Sequence, residues 1–254
     1  LDVNWKFAIR LAQSAKERGV RSFVFASSCS VYGFAESGLR TEDSGLNPLT
    51  AYAKSKINAE QGLQHIATDD FCITALRFAT ACGFSSRLRL DLVLNDFVAS
   101  AVTTGKIDIL SDGTPWRPLI HVKDMALAIE WAILRPIKKG GPFLAVNAGS
   151  NEWNYQVKDL AEVVQRVIPN VEMSINSEAV PDKRSYQVDF SLFRSLAPDY
   201  IPKVSLKDAV KDLYSGLESI GFSDYNFRSS NLMRLNMLKD HKKSGRLNEQ
   251  LEWF

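Results

Sequence analysis

Two short segments carry residue types that can do chemistry at neutral pH. One is Ser27-Ser28-Cys29-Ser30-Val31-Tyr32-Gly33, the other Tyr52-Ala53-Lys54-Ser55-Lys56. Tyr52 and Lys56 are four residues apart, so on a helix they share one face. An ammonium beside a phenol favours the phenolate, which is expected to bring the Tyr52 pKa down from about 10. A phenol tuned in this way is a general base for a hydroxyl or a general acid for a ketone. The Ser28 hydroxyl is expected to hold the same oxygen in place. Tyrosine and lysine at this spacing are a weak signal alone, as is a serine-rich strand end. Their order along the chain carries the argument.

The elements that must position these groups can be read from periodicity. Residues 5–18 have a helix-period stripe of Phe7, Ala8, Leu11, Ala12 and Ala15, with Gly19 as a stop. Residues 22–26 form a short apolar run without alternation, as in a strand buried on both faces of a parallel sheet. Ser28 lies at its carboxyl end, where open α/β sheets bind ligands. Residues 33–48 read as a loop and 50–67 as the helix bearing Tyr52 and Lys56. The runs 72–78, 106–110, 119–122, 143–147 and 171–175 read as strands. Helices are expected over 91–103, 157–167 and 206–220, and over 125–134 with Asp124 as cap. Residues 222–254 read as a polar hinge and a helical tail. Helices alternating with buried strands imply a βαβ layout.

Composition narrows the function classes. The chain has 254 residues, 45% hydrophobic and 24% charged, with 31 basic against 29 acidic side chains. So near a balance gives no basic stripe for nucleic acid or a membrane surface. No run approaches the roughly 18 uncharged apolar residues of a membrane span. Three cysteines, Cys29, Cys72 and Cys82, form no C-x-x-C, which points to a reducing compartment such as the cytoplasm. His65, His121 and His241 are far apart, and no metal site is expected. None of the 14 glycines forms G-x-G-x-x-G or G-x-x-x-x-G-K.

Taken together, these segments resemble the extended short-chain dehydrogenase/reductases, in particular the NAD-dependent epimerase/dehydratase family acting on nucleotide sugars. The resemblance rests on Phe23-Val-Phe-Ala-Ser-Ser-Cys-Ser-Val-Tyr-Gly33, Glu42, Asn47-Pro48, Tyr52-x-x-x-Lys56 and Glu60. It continues through Leu76-Arg77-Phe78, Gly83, Gly113-x-x-x-Arg117, Ile120-His-Val-x-Asp124 and Asn147-x-Gly149, with Arg184-x-Tyr186 and Asp189 as weaker points. It implies an α/β fold: the C-terminal part of a Rossmann-type doubly wound parallel sheet plus a smaller α/β substrate domain. Residues 1–84 would belong to the NAD-binding domain, with 119–148 returning to it. Residues 85–254 would form mainly the substrate domain and the helical tail.

The same resemblance implies roles. Tyr52 would be the acid/base and Lys56 its electrostatic partner, both touching the cofactor together with Ser27 and Asn4. Ser28 stands at the family's catalytic Ser/Thr position. Asn95, Arg117 and Arg184 would bind the nucleotide diphosphate, where a guanidinium fork suits the oxygens. His121 and Asp124 are read as structural. The implied cofactor is NAD, with NADP not excluded, and the implied assembly is a homodimer through 50–67 and the helix before Gly19.

Departures from the pattern narrow the chemistry. The dehydratases resemble T-D-E-V-Y-G at the serine segment, where Asp and Glu remove water. Here those positions are Cys29 and Ser30, which do not do that proton work at neutral pH. Thr80-Ala-Cys82-Gly83 replaces the family's Asn-x-Tyr-Gly, which leaves the sugar open. The glycine-rich turn that binds the pyrophosphate is not in the sequence, which suggests that ~80–100 preceding residues are missing and that these 254 alone bind NAD poorly. The expected reaction is epimerisation of a nucleoside-diphosphate sugar through a transient keto intermediate. The alternatives are a one-way NAD(P)H-dependent keto-sugar reductase and a non-catalytic scaffold retaining the fold.

Overall fold

The structure, a computed structural model, describes residues 3–33, 38–179, 185–230 and 232–254. The chain runs α1 (Lys6–Glu17), β1 (Ser22–Ser28), a 3-10 turn (Cys29–Tyr32), β2 (Leu39–Arg40), α2 (Ala51–Ile66), β3 (Cys72–Phe78) and β4 (Thr80–Cys82). It continues with α3 (Val93–Thr104), β5 (Lys106–Ile109), β6 (Trp116–His121), α4 (Val122–Leu134), β7 (Phe143–Ala148), β8 (Asn154–Gln156) and α5 (Val157–Val167). Then come β9 (Glu172–Ile175), β10 (Gln187–Val188), α6 (Ser191–Leu196), α7 (Leu206–Ser219) and α8 (Arg234–Lys243).

The central sheet is parallel, in the order β1-β3-β7. Its register sets Ser28 beside Phe78 and Phe78 beside Ala148, so the three carboxyl ends finish together. β3 is buried along almost its whole length, which is why it reads as an unbroken apolar run. Ile73 and Ala75 pack with Ala8, Ala12, Ala59 and Leu63 of α1 and α2. Leu76 and Phe78 pack with Trp131 of α4 and Phe193 of α6. A third core joins α3, β5, α5 and α7 through Val98, Ile107, Leu160, Val164 and Leu213. The smaller sheets are β4-β6-β8, with β4 parallel and β8 antiparallel to β6, and the parallel pairs β5-β9 and β2-β10.

Two details differ from the periodicity. The α1 stripe divides: Ala8 and Ala12 are buried, but Phe7 and Leu11 are 55% and 47% exposed. Close approach to α2 selects small residues, and a Cβ on Gly62 would lie 2.2 Å from the Cδ1 of Ile9. The cap of α4 is His121, whose Nδ1 accepts from the Lys123 N–H at 3.2 Å. Asp124 lies inside the first turn and instead accepts the N–H groups of Lys203 and Val204 at 3.0 and 3.2 Å, fixing the segment that leads into α7. Among the described residues no helix is long and apolar enough to cross a membrane.

Candidate active site

Ser28 closes β1 and caps the 3-10 turn, its Oγ accepting from the Ser30 N–H at 3.2 Å. Thr50 caps α2 in the same way, accepting from the Ala53 N–H at 3.1 Å. This puts Tyr52 in the first turn of α2 and Lys56 one turn later. The Ser28 hydroxyl lies close enough to the Tyr52 phenol to favour its ionised form. The Lys56 Nζ donates to the Ala26 carbonyl at 2.7 Å and lies 4.7 Å from the Phe25 ring centroid and 5.3 Å from that of Tyr52.

The electrostatics correct the sequence expectation for Tyr52. Partial burial raises its phenol above the usual value, although Tyr52 is 48% exposed; the Ser28 hydroxyl and the Arg89 cation act the other way. The Lys56 ammonium is held on the Ala26 carbonyl and makes no hydrogen bond to the Tyr52 hydroxyl. Burial lowers Lys56 itself, with Glu60 opposing.

Behind the pair lies a buried polar network. The Ser27 Oγ donates to Glu60. Glu60 receives the Arg77 Nε at 3.1 Å and Nη2 at 2.7 Å. The Arg77 Nη1 donates to the Tyr32 hydroxyl at 3.1 Å, and that hydroxyl donates to the Asn147 Oδ1 at 2.6 Å. The Asn147 N–H donates to Glu42 at 2.8 Å. The Ser27 hydroxyl is therefore committed to the protein, in contrast to the cofactor contact expected of it. The Cys29 thiol is buried, donates to the Arg77 carbonyl at 3.0 Å and is pushed up by burial.

A cavity of about 640 Å³ adjoins the pair. Ser30 and Thr50, each two residues from Ser28 and Tyr52, line its wall, as do Arg117 and Tyr186; Tyr52 is not part of it. The Ser30 Oγ is buried and has no hydrogen-bond partner among the described residues. Gly33, also in the wall, has φ +62°, and a Cβ there would sit 1.7 Å from the Asn47 carbonyl oxygen. The Tyr186 phenol is raised by burial and feels both Arg117 and Tyr52, which links the cavity to the tyrosine.

Arg117 lines the cavity, with Nη1 on the Trp116 carbonyl at 2.8 Å. Asn95 is not in the cavity wall. It is 2% exposed, its Oδ1 accepts from the Gly83 N–H at 3.1 Å, and its Nδ2 donates to the Arg89 carbonyl at 2.9 Å. Both ends of its amide are used in holding the loop before α3. Asn4 lies half-buried in the turn before α1, and no hydrogen bond joins it to Ser28, Tyr52 or Lys56. Arg184 lies outside the described residues. His121 is fully buried and contacts the Asp212 carboxylate through Nε2 at 3.2 Å. No group of described residues is arranged to hold a metal ion.

The structure adds Arg228 to the cavity wall, paired with Asp96. Sequence reasoning passed over it as part of a polar hinge. The one available signal was an aromatic next to an arginine, Phe227-Arg228, in an otherwise polar stretch.

The chain is similar to known proteins. Relatives include an uncharacterized UDP-glucose epimerase of Bacillus subtilis, 26% identical over 83% of this chain and 65% of the relative. A UDP-glucose 4-epimerase of Pasteurella multocida is 34% identical over 62% of this chain and 51% of its own length. The chain therefore spans about half to two thirds of these relatives. Among solved structures, a UDP-glucose-4-epimerase from Stenotrophomonas maltophila with bound NAD and formylated UDP-arabinopyranose superposes with TM-score 0.74 at 21% identity, over 87% of this chain and 70% of that one. A Bacillus cereus UDP-glucuronic acid 4-epimerase in complex with UDP-glucuronic acid and NAD gives 0.71 at 22%, over 85% and 68%. Residues 1–149 match the family described as NAD dependent epimerase/dehydratase. That span holds β1, α2 and the whole central sheet with Ser28, Tyr52 and Lys56, and on it the chain belongs to the NAD-dependent epimerase/dehydratase family.

Proposed function

We propose that these residues serve an NAD-dependent epimerisation of a nucleoside-diphosphate sugar. The observation that carries the reading is that Ser28 at the end of β1 and Lys56 on α2 both lie against Tyr52, with no carboxylate at positions 29 and 30. Tyr52 takes the proton of a sugar hydroxyl and later returns it, with Ser28 holding the reacting oxygen against the phenol. A buried thiol with a raised pKa and a serine hydroxyl supply no acid or base for removing water, which argues against dehydration.

NAD, when bound, supplies the hydride acceptor and donor for the sugar carbon. The chain's own groups fit its ribose: Lys56 has one N–H on Ala26, and no hydrogen-bond acceptor takes the other two among the described residues. Arg117, in the cavity wall, suits a diphosphate oxygen, and Arg184 is proposed for the same role from the family pattern. We place the division between cofactor and substrate domains near residue 84, and assign a homodimer to the α1–α2 face that leaves Phe7 and Leu11 exposed; light scattering tests the assembly.

The activity test uses the complete gene product carrying these residues, supplied with NAD and a panel of nucleoside-diphosphate sugars. The expected result is an epimeric product by NMR with no net change in absorbance at 340 nm, lost by a factor of about 10²–10⁴ in Tyr52→Phe. Stoichiometric cofactor consumption would establish the reductase reading, and no conversion of any sugar would end the proposal.

A further inference from the structure

Arg228 comes from the segment that follows α7, far in sequence from every other charged residue of the cavity. Its backbone is anchored by Phe227, buried in the core of α3, α5 and α7 and stacked edge-on against Phe222 at 6.0 Å. Its guanidinium is held as a fork: Nε donates to the Asp96 Oδ1 at 2.8 Å and Nη2 to the Asp96 Oδ2 at 2.7 Å and the Ser100 Oγ at 2.7 Å. Among the described residues no group accepts from Nη1. The side chain is half exposed and lines the cavity. A planar donor locked in place with one edge unused is preorganised for recognition, because little side-chain entropy remains to be lost on binding.

Local charge indicates what that edge reads. Asp96 and Asp108 both line the cavity and both act electrostatically on Arg228, with Asp108 held by the Ser174 Oγ at 2.6 Å. Two carboxylates against one guanidinium make this region acidic, and a diphosphate would be repelled there. A neutral, planar ligand group with carbonyl acceptors is not. Next to these residues the wall is apolar, formed by Ile109 and Leu110 at the end of β5.

We propose that Arg228, clamped by Asp96, is a specificity-determining residue that reads the heterocyclic base of the nucleotide. This rests on the nucleotide-sugar reading above. Arg117 then faces the charged centre of the ligand and Arg228 its base, so the two arginines of the wall divide recognition by charge.

Titration calorimetry on the full chain tests this with UDP, ADP, GDP, CDP and inorganic pyrophosphate as ligands. The unaltered protein is expected to prefer one base. Arg228→Met is expected to weaken that nucleotide by about tenfold or more and to level the preference, leaving pyrophosphate unchanged. Arg228→Lys keeps a cation opposite Asp96 but loses the fork, so it should fold and still lose the preference. A merely structural role would not alter the ratio between bases. Retention of the preference in both variants would overturn the inference, as would a parallel loss of pyrophosphate. If the unaltered protein binds no nucleoside diphosphate, the nucleotide reading itself fails, and the inference with it.

Discussion

Replacing Glu60 by leucine removes the partner of a buried cation. Arg77 and Glu60 are 6% and 5% exposed, and their contact comprises donors from both Nε and Nη2. In the variant Arg77 keeps only the Tyr32 hydroxyl and the Glu42 carbonyl, both through Nη1, while Ser27 loses its acceptor. Breaking one side of a buried pair costs about 3–5 kcal/mol, a large part of the 5–15 kcal/mol typical of a domain. At roughly 2–4 °C per kcal/mol for a chain of this size, the melting temperature should fall by about 6–20 °C. The double variant Glu60→Leu, Arg77→Met leaves no unpaired charge and should recover most of that loss. Urea unfolding of wild type, single and double variants measures the coupling. A single-variant cost under about 1 kcal/mol, the scale of an exposed pair, or a double variant no more stable than the single, would refute the reasoning.

Other outcomes follow from the same geometry. In the absence of cofactor Tyr52 should ionise above the usual tyrosine value, and Lys56→Met should barely move it; difference absorbance against Tyr52→Phe measures this, and a titration near neutrality would contradict the observed lysine position. Burial raises the Glu42 carboxyl, so the folded state holds this proton to higher pH than the unfolded state does. Wild type should therefore lose stability relative to Glu42→Gln as pH rises from the unfolded value near 4.3 through the raised folded one, and a constant difference between pH 4 and 7 would exclude it. Gly33→Ala, at φ +62° and against the Asn47 carbonyl, should cost more than about 1 kcal/mol by chemical denaturation.

The parts legible in the sequence were those with long periods or local rules. The i, i+4 spacing of Tyr52 and Lys56 was enough to put both on one face of α2, and the apolar run 72–78 was enough for β3. Elements of two or three residues carry no period. β2 and β10 exist because Val188 is brought beside Arg40 across nearly 150 residues of chain, and β4 and β8 because they flank β6. Side-chain partners were not legible where a tertiary contact decides them. Ser27 was expected at a cofactor and faces Glu60. Asn95 was expected at a diphosphate, and the Gly83 amide and Arg89 carbonyl take up its side chain. The Lys56 ammonium was expected at a phenol oxygen and is drawn to the Ala26 carbonyl, an acceptor that no spacing rule reveals.

These side-chain partners bear on the ligand site proposed above. An unsatisfied buried polar group costs about 1–3 kcal/mol, so folding drives such groups to find partners. Ser27, Glu60, Arg77 and Asn147 behind the pair, and Asn95 below the loop, have all done so within the protein. Donors left over among the described residues include two N–H groups of Lys56, the buried hydroxyl of Ser30, the Nη1 of Arg228 and, on β2 away from the cavity wall, the buried Nε of Arg40. Ser30 and Arg228 line one cavity, and Lys56 stands beside Tyr52, which lies outside that wall. The saturated network fixes the geometry, and the unsaturated donors of the cavity are the ones the proposed ligand would meet.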